Sequence, residues 1–206
     1  MLEFLFGSKS RLAVLRVLSL HSDGIYLRQA ARLAGIQPIS AKRELDLMVR
    51  AGVIEERKSG PQRFFYPAKD NLVSTALFAL VRKDAVPEVL AKALSKVRGI
   101  QKCFVYGSVA KAQDNARSDI DLMVIGAPEP AVLAKAVTAA EKALGRQVNA
   151  SVFSQKEYSE RLEKKNAFIM RVESEPKLSV IGEDAKNSGT GKRRPHSAIS
   201  GHKSGD

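Results

Sequence analysis

The chain has one cysteine, Cys103, no tryptophan and only three histidines. A lone cysteine excludes an intrachain disulfide and any zinc site built on thiolates. Cys103 lies in an apolar run, where a thiol reads as a small buried side chain rather than a nucleophile. His21, His196 and His202 have no metal-ligand spacing. No stretch approaches the ~20 consecutive apolar residues of a membrane helix, and the N-terminus lacks the basic start, apolar centre and cleavage site of an export signal. The expectation is a cytoplasmic protein with no membrane partner.

What is present is length and positive charge. The 206 residues, 44% of them hydrophobic, suffice for one large domain or two small ones with real cores. Lysine and arginine number 34 against 22 acidic residues, a net charge of +12. The excess is largest in residues 1–85, with 14 basic against 8 acidic side chains, which suits a surface for a polyanion.

The most informative stretch is FVYGSVAKAQDNARSDIDLMVIG, residues 104–126. An apolar run ends abruptly at Gly107-Ser108, and ten residues later a second begins with a carboxylate on either side of Ile120. The runs read as neighbouring buried strands. Side chains alternate faces along a strand, so Asp119 and Asp121 point the same way, with alpha carbons roughly 6.6 Å apart. Like charges that close raise one pKa unless a cation sits between them. Mg²⁺ is the expected cation, because one or two carboxylates plus phosphate oxygens are its usual shell at a phosphoryl-transfer site. Gly107 permits close backbone approach to phosphate, and Ser108 adds a hydroxyl. Together these features point to a nucleoside triphosphate (NTP) and a metal.

This stretch resembles the nucleotidyltransferase superfamily of the DNA polymerase β type, above all its minimal members. Their signature is a strand, Gly-Ser, a loop of about ten residues and Asp-x-Asp on the next strand. The resemblance implies that Gly107 and Ser108 hold the triphosphate. It also implies that Asp119 and Asp121 are catalytic and hold the Mg²⁺ that activates an attacking hydroxyl and neutralises pyrophosphate. From placement and charge, Lys111 and Arg117 in the intervening loop are candidates to steady the β- and γ-phosphates.

Two features depart from the family pattern. Ala110-Lys111-Ala112 stands where many relatives carry Ala-x-Gly. The strand expected at 147–153 carries no Asp or Glu, although competent members tend to place a third carboxylate there, and Asn149 occupies the position. An amide can offer a carbonyl oxygen to a metal but cannot accept a proton at neutral pH. Binding is therefore better supported than turnover.

Residues 8–20 place Leu12, Val14, Leu15 and Leu18 on a helical stripe behind a Ser8 cap. A short extended piece at 25–27 and a compact helix at 28–34 follow, the latter stopped by Gly35. A third helix runs from near Pro38 to about Arg50, with Ile39, Leu45, Met48 and Val49 inward. Two strands, 53–57 and 62–66, flank the turn Lys58-Ser59-Gly60-Pro61. This order resembles a winged helix-turn-helix over about residues 8–67, including the passage from Leu45 to Glu55. The resemblance implies double-stranded DNA as partner. Gln37, Ser40, Lys42 and Arg43 would face a major groove, and Arg57, Lys58 and Arg63 on the wing would reach the flanking backbone.

Residues 68–98 read as helical with a break near 84–87, and the apolar stripe Leu72, Leu77, Leu80 and Val81 favours a homodimer. A helix at 131–144 ending at Gly145, a strand at 147–153, a helix at 155–163 and two last apolar segments complete the pattern. The expected fold is α+β with two domains. Residues 1–67 form the winged helix-turn-helix, 68–85 a linker helix, 86–182 a small α/β nucleotidyltransferase-like sheet with flanking helices, and 183–206 a disordered tail. Three functions fit. The first is a DNA-binding transcriptional regulator whose second domain binds Mg-NTP. The second is an active nucleotidyltransferase acting on a hydroxyl of a small molecule, RNA or protein. The third is a pseudoenzyme partner in a two-gene module.

Overall fold

The computed structural model describes residues 2–21, 23–114 and 118–182. The expected role of Arg117 and the expected disordered tail at 183–206 lie outside the described residues. The fold is α+β with two sheets.

The first unit contains α1 (Leu2–Phe6), α2 (Lys9–Leu20), β1 (Ile25–Tyr26), α3 (Leu27–Ala34), α4 (Pro38–Arg50), β2 (Ile54–Ser59) and β3 (Gln62–Pro67). Ser8 caps α2 by accepting from the Arg11 amide, and Gly35 closes α3 in a left-handed conformation that lacks a Cβ penalty. Pro38 opens α4, where its missing N–H leaves no orphan donor. The three strands form an antiparallel sheet in the order β1-β3-β2. Leu12, Leu15, Leu18, Ile25, Leu45 and Phe65 fill the core. Ala30, Ala31 and Ala41 are also buried, and their small side chains let α3 and α4 close on α2.

Ile39 departs from expectation. It is 78% exposed, because the buried stripe of α4 runs through Ala41, Glu44, Leu45 and Met48. The polar member of that stripe is satisfied. Glu44 accepts from Ser8 Oγ at 3.1 Å and from Arg11 Nε at 3.0 Å, which pins α4 to the start of α2.

α5 (Leu72–Leu94) is one continuous helix of 23 residues with Pro87 inside it. The expected break at 84–87 is absent. A proline removes one helical hydrogen bond and strains the preceding turn, but the chain here is anchored on both sides of it. Phe78 and Val81 belong to the first core, and Val86, Leu90 and Leu94 to the second. Fully burying such a side chain contributes roughly 1.5–3 kcal/mol, so several together outweigh one proline. Arg16 of α2 reinforces the junction through ion pairs to Asp84 at 2.6 Å and Glu88 at 2.9 Å. The stripe expected to favour a homodimer divides: Val81 is buried, Leu77 packs partly buried against the first core, and Leu72 and Leu80 are exposed together with Val73.

The second unit continues with β4 (Ile100–Tyr106), α6 (Gly107–Ala110), β5 (Ile120–Gly126), α7 (Pro130–Leu144), β6 (Val148–Phe153), α8 (Gln155–Glu163), α9 (Ala167–Ser174) and β7 (Leu178–Ile181). Its sheet has the order β6-β5-β4-β7. β4 is antiparallel to both β5 and β7, while α7 crosses over to make β6 parallel to β5. Strand alternation divides the side chains between two faces. Cys103, Val105, Ile120, Leu122 and Val124 pack with α5 and α7, and Phe104, Tyr106, Met123 and Ile125 pack with α8 and α9. The 167–174 stretch, read from sequence only as apolar, is the helix α9.

Burial pushes the Glu44 carboxyl up, but hydrogen bonds from Arg11 and Ser8 outweigh it and hold the pKa below the usual carboxylate range. Such a group contributes stability above its unfolded pKa of about 4.3 and loses it as pH falls through the lower folded value. Glu44→Gln should destabilise the protein by about 1–3 kcal/mol at neutral pH. Urea unfolding at stepped pH checks this, and the gap to wild type should close on acidification.

Candidate functional site

Strand alternation puts Asp121 on the face of β5 that α8 and α9 cover. Asp119, just ahead of β5, shares that parity. Three neighbours define the place. Tyr106, the last residue of β4, pairs directly with Asp121, and so does Asn149 of β6 from the other side. Gly107 follows Tyr106 with φ +72°, and a Cβ there would lie 2.4 Å from Asp121 Oδ2. Only glycine lets the chain turn into α6 while the carboxylate keeps its position.

Asp121 is half-buried and Asp119 exposed. Burial raises the Asp121 pKa, the Asp119 charge raises it further, and Arg171 acts in the opposite direction. Asn149 donates from Nδ2 to Asp119 Oδ2 at 3.3 Å, so the amide stands in the row where a third carboxylate was sought. Among the described residues, no group of three or more His, Cys, Asp or Glu side chains is placed to hold a metal. The two aspartates, with the Asn149 carbonyl oxygen as a further ligand, fit one hard cation that draws its remaining ligands from phosphate and water.

Ser108 sits in the first turn of α6, half-buried beside Gly107. Lys111, expected to steady phosphates, instead pairs with Glu175 at 2.8 Å, so reaching a phosphate requires exchanging that partner. Arg171 was missed by the sequence reading. It lies on α9 with its guanidinium 5.9 Å from the Phe168 ring and within electrostatic reach of Asp121. Helical rather than apolar-run treatment of 167–174 would have flagged it as the one cation in the middle of that helix.

The residues expected to meet DNA are distributed as follows. Gln37 stands at the N-cap position of α4 without a side-chain cap hydrogen bond and is exposed, with Ser40 half-buried one turn on. Lys42 pairs with Asp46 at 3.0 Å, and Arg43 reaches Glu44 at 3.4 Å while remaining 70% exposed. Arg57 packs over the Tyr66 ring at 5.1 Å and pairs with Glu55, and Lys58 is exposed near the tip of the β2–β3 hairpin. Glu56 and Asp46 hold the Arg63 guanidinium at 2.6 and 2.7 Å and raise its pKa, so Arg63 braces the sheet to α4, and reaching a phosphate requires exchanging one of those partners.

Residues 88–174 match the family model described as Polymerase beta, Nucleotidyltransferase. That span contains Gly107, Ser108, Asp119, Asp121 and Asn149, and the chain thus carries a nucleotidyltransferase-like domain. A solved chain provisionally named as a nucleotidyltransferase from Sulfolobus solfataricus is similar at 16% identity and a TM-score of 0.30, over 53% of this chain and 89% of that one. No curated protein matches the sequence. No helix among the described residues is long and apolar enough to cross a membrane.

A raised carboxylate pKa costs stability. Below the unfolded pKa of about 3.9 both states are protonated and nothing is lost, and as pH rises through the higher folded value the penalty develops fully. Asp121→Asn should therefore raise the melting temperature of the metal-free protein by a few degrees at neutral pH. Differential scanning calorimetry at pH 7 and below pH 4 checks this, and the gain should vanish in acid.

Proposed function

We propose that this protein binds double-stranded DNA through its first unit and Mg-NTP through its second, and that it acts as a nucleotide-responsive regulator. The observation that carries the nucleotide half is the Gly107–Asp121 approach, with Asp119 beside it and Asn149 in register. Asp119 and Asp121 hold the cation, and Gly107, Ser108 and Arg171 face the triphosphate. The Mg²⁺ would neutralise phosphate charge and polarise the phosphoryl oxygens. Asn149 supplies an amide where proton abstraction needs a carboxylate, so the site holds nucleotide better than it turns it over.

The DNA half is supported by α2, α3 and α4 together with the three-stranded sheet β1-β3-β2, an element order similar to that expected of a winged helix-turn-helix. Gln37 just ahead of α4 and Ser40, Lys42 and Arg43 on it form the groove-facing set, and Arg57 and Lys58 on the hairpin the backbone set. An active nucleotidyltransferase is the second reading, favoured by the intact Gly-Ser and paired aspartates. Release of pyrophosphate with an acceptor-rich lysate distinguishes it.

Calorimetry with each common NTP should show Mg²⁺-dependent binding that disappears in Asp119→Ala/Asp121→Ala. Absence of binding to every NTP would overturn the nucleotide half. Anisotropy with fragmented genomic DNA should show binding that weakens with salt. In Arg43→Ala and Lys58→Ala, the slope of log affinity against log salt should each fall by about one unit. Affinity no greater than that of a charge-matched control protein would overturn the DNA half.

A further inference from the structure

Between Ser108 and Asp119 the chain passes through Asp114, whose carboxylate is buried against two arginines from distant elements. Arg82 of α5 donates from Nε to Asp114 Oδ2 at 3.2 Å and from Nη2 to the Asp114 carbonyl at 3.3 Å. Arg146, in the turn between α7 and β6, donates from Nη1 to the same Oδ2 at 2.9 Å and from Nε to the Ser118 carbonyl at 2.6 Å. All three side chains are more than nine-tenths buried. Two guanidinium groups against one carboxylate leave net positive charge inside the protein. Among the described residues, Asp114 Oδ1 and Arg146 Nη2 have no hydrogen-bond partner.

Such a cluster is a poor way to gain stability, since apolar side chains of similar volume commonly do as well or better. Its position gives it another use. Ser118 directly precedes Asp119, and the Ile120 amide bonds to the Gln147 carbonyl next to Arg146. Asp119 is thus held at the residue before and the residue after by one short turn. Outer partners that hold a ligand's backbone set where its oxygens point. Arg82 adds a second anchor, because it lies on α5 between Val81 of the first core and Val86 of the second.

We propose that Arg82, Asp114 and Arg146 are positioning residues of the metal and nucleotide site, fastening the segment that carries Asp119 to the helix shared by both cores. This rests on the reading of Asp119 and Asp121 as an Mg-NTP site. The second unit's site is then not autonomous: its metal-bearing segment is tied to a helix rooted in the first unit.

Arg82→Lys and Arg146→Lys keep the charge and lose the forked donors. Calorimetry with ATP, then each other NTP, in the presence and absence of Mg²⁺ is compared across wild type, both variants and Asp119→Ala, with circular dichroism to verify the fold. The variants should keep the metal-free affinity of wild type and lose about 10- to 100-fold of the Mg²⁺-dependent affinity. Unchanged Mg²⁺-dependent affinity in the folded variants, with loss in Asp119→Ala, would overturn the positioning role and leave the site intact. No Mg²⁺-dependent binding in wild type would overturn the site reading and this proposal with it. Should a lysine variant fail to fold, hydrogen exchange of the wild type decides. Addition of Mg-NTP should slow the amides of residues 119–122 and those of α5 around Arg82 together, and protection confined to 119–122 would overturn the proposal.

Discussion

The second unit is organised around a contact that admits no extra atom. Gly107 turns out of β4 in the left-handed region, with its alpha carbon so close to Asp121 that a methyl group would overlap the carboxylate. Any other residue would meet both that clash and a backbone cost of about 1–2 kcal/mol. From this approach follow the abrupt end of β4 at Tyr106, the immediate start of α6 and the register that aligns Tyr106, Asp121 and Asn149 across three strands. The paired aspartates repel each other and one is partly desolvated. Under the proposed function, a cation with phosphate relieves that repulsion.

α5 supplies the second constraint. One helix contributes Phe78 and Val81 to the first core and Val86, Leu90 and Leu94 to the second. Leu20 at the end of α2 also packs against the second core. The two sheets are therefore not joined by a loose tether. A continuous path of packed and hydrogen-bonded groups runs from Asp119 through α5 toward α2 and α4, and under the proposed function coupling between the two ligands is reciprocal.

Much of this was legible in the sequence for identifiable reasons. The Gly-Ser and Asp-x-Asp spacing could be read because strand alternation places both aspartates on one face and a glycine marks the tight turn. Helix ends at Gly35 and Gly145 could be read because a left-handed residue after a helix nearly demands glycine. The failures were tertiary. Pro87 signalled a break, but burial on either side carries α5 through it. Ile39 suggested a core position by hydrophobicity, yet the stripe of α4 passes through Glu44, an acid that local pattern cannot place inside. The ion pairs of Arg63 and Lys111 are tertiary too: the two charges are visible in sequence, whereas Glu56, Asp46 and Glu175 become their partners only after folding. The buried set of Arg82, Asp114 and Arg146 spans 64 positions of sequence, and no periodicity announces it.

The central claim is that the Gly107 approach builds a site in which metal and triphosphate bind together. Electron paramagnetic resonance of Mn²⁺, titrated into wild type and Gly107→Ala with and without a non-hydrolysable NTP analogue, tests it most directly. The account predicts that wild type binds Mn²⁺ far more tightly with the analogue present, and that Gly107→Ala loses this cooperation while retaining the first unit's fold. Cooperative Mn²⁺ binding undiminished in folded Gly107→Ala, or Mn²⁺ binding in wild type indifferent to the analogue, would contradict it.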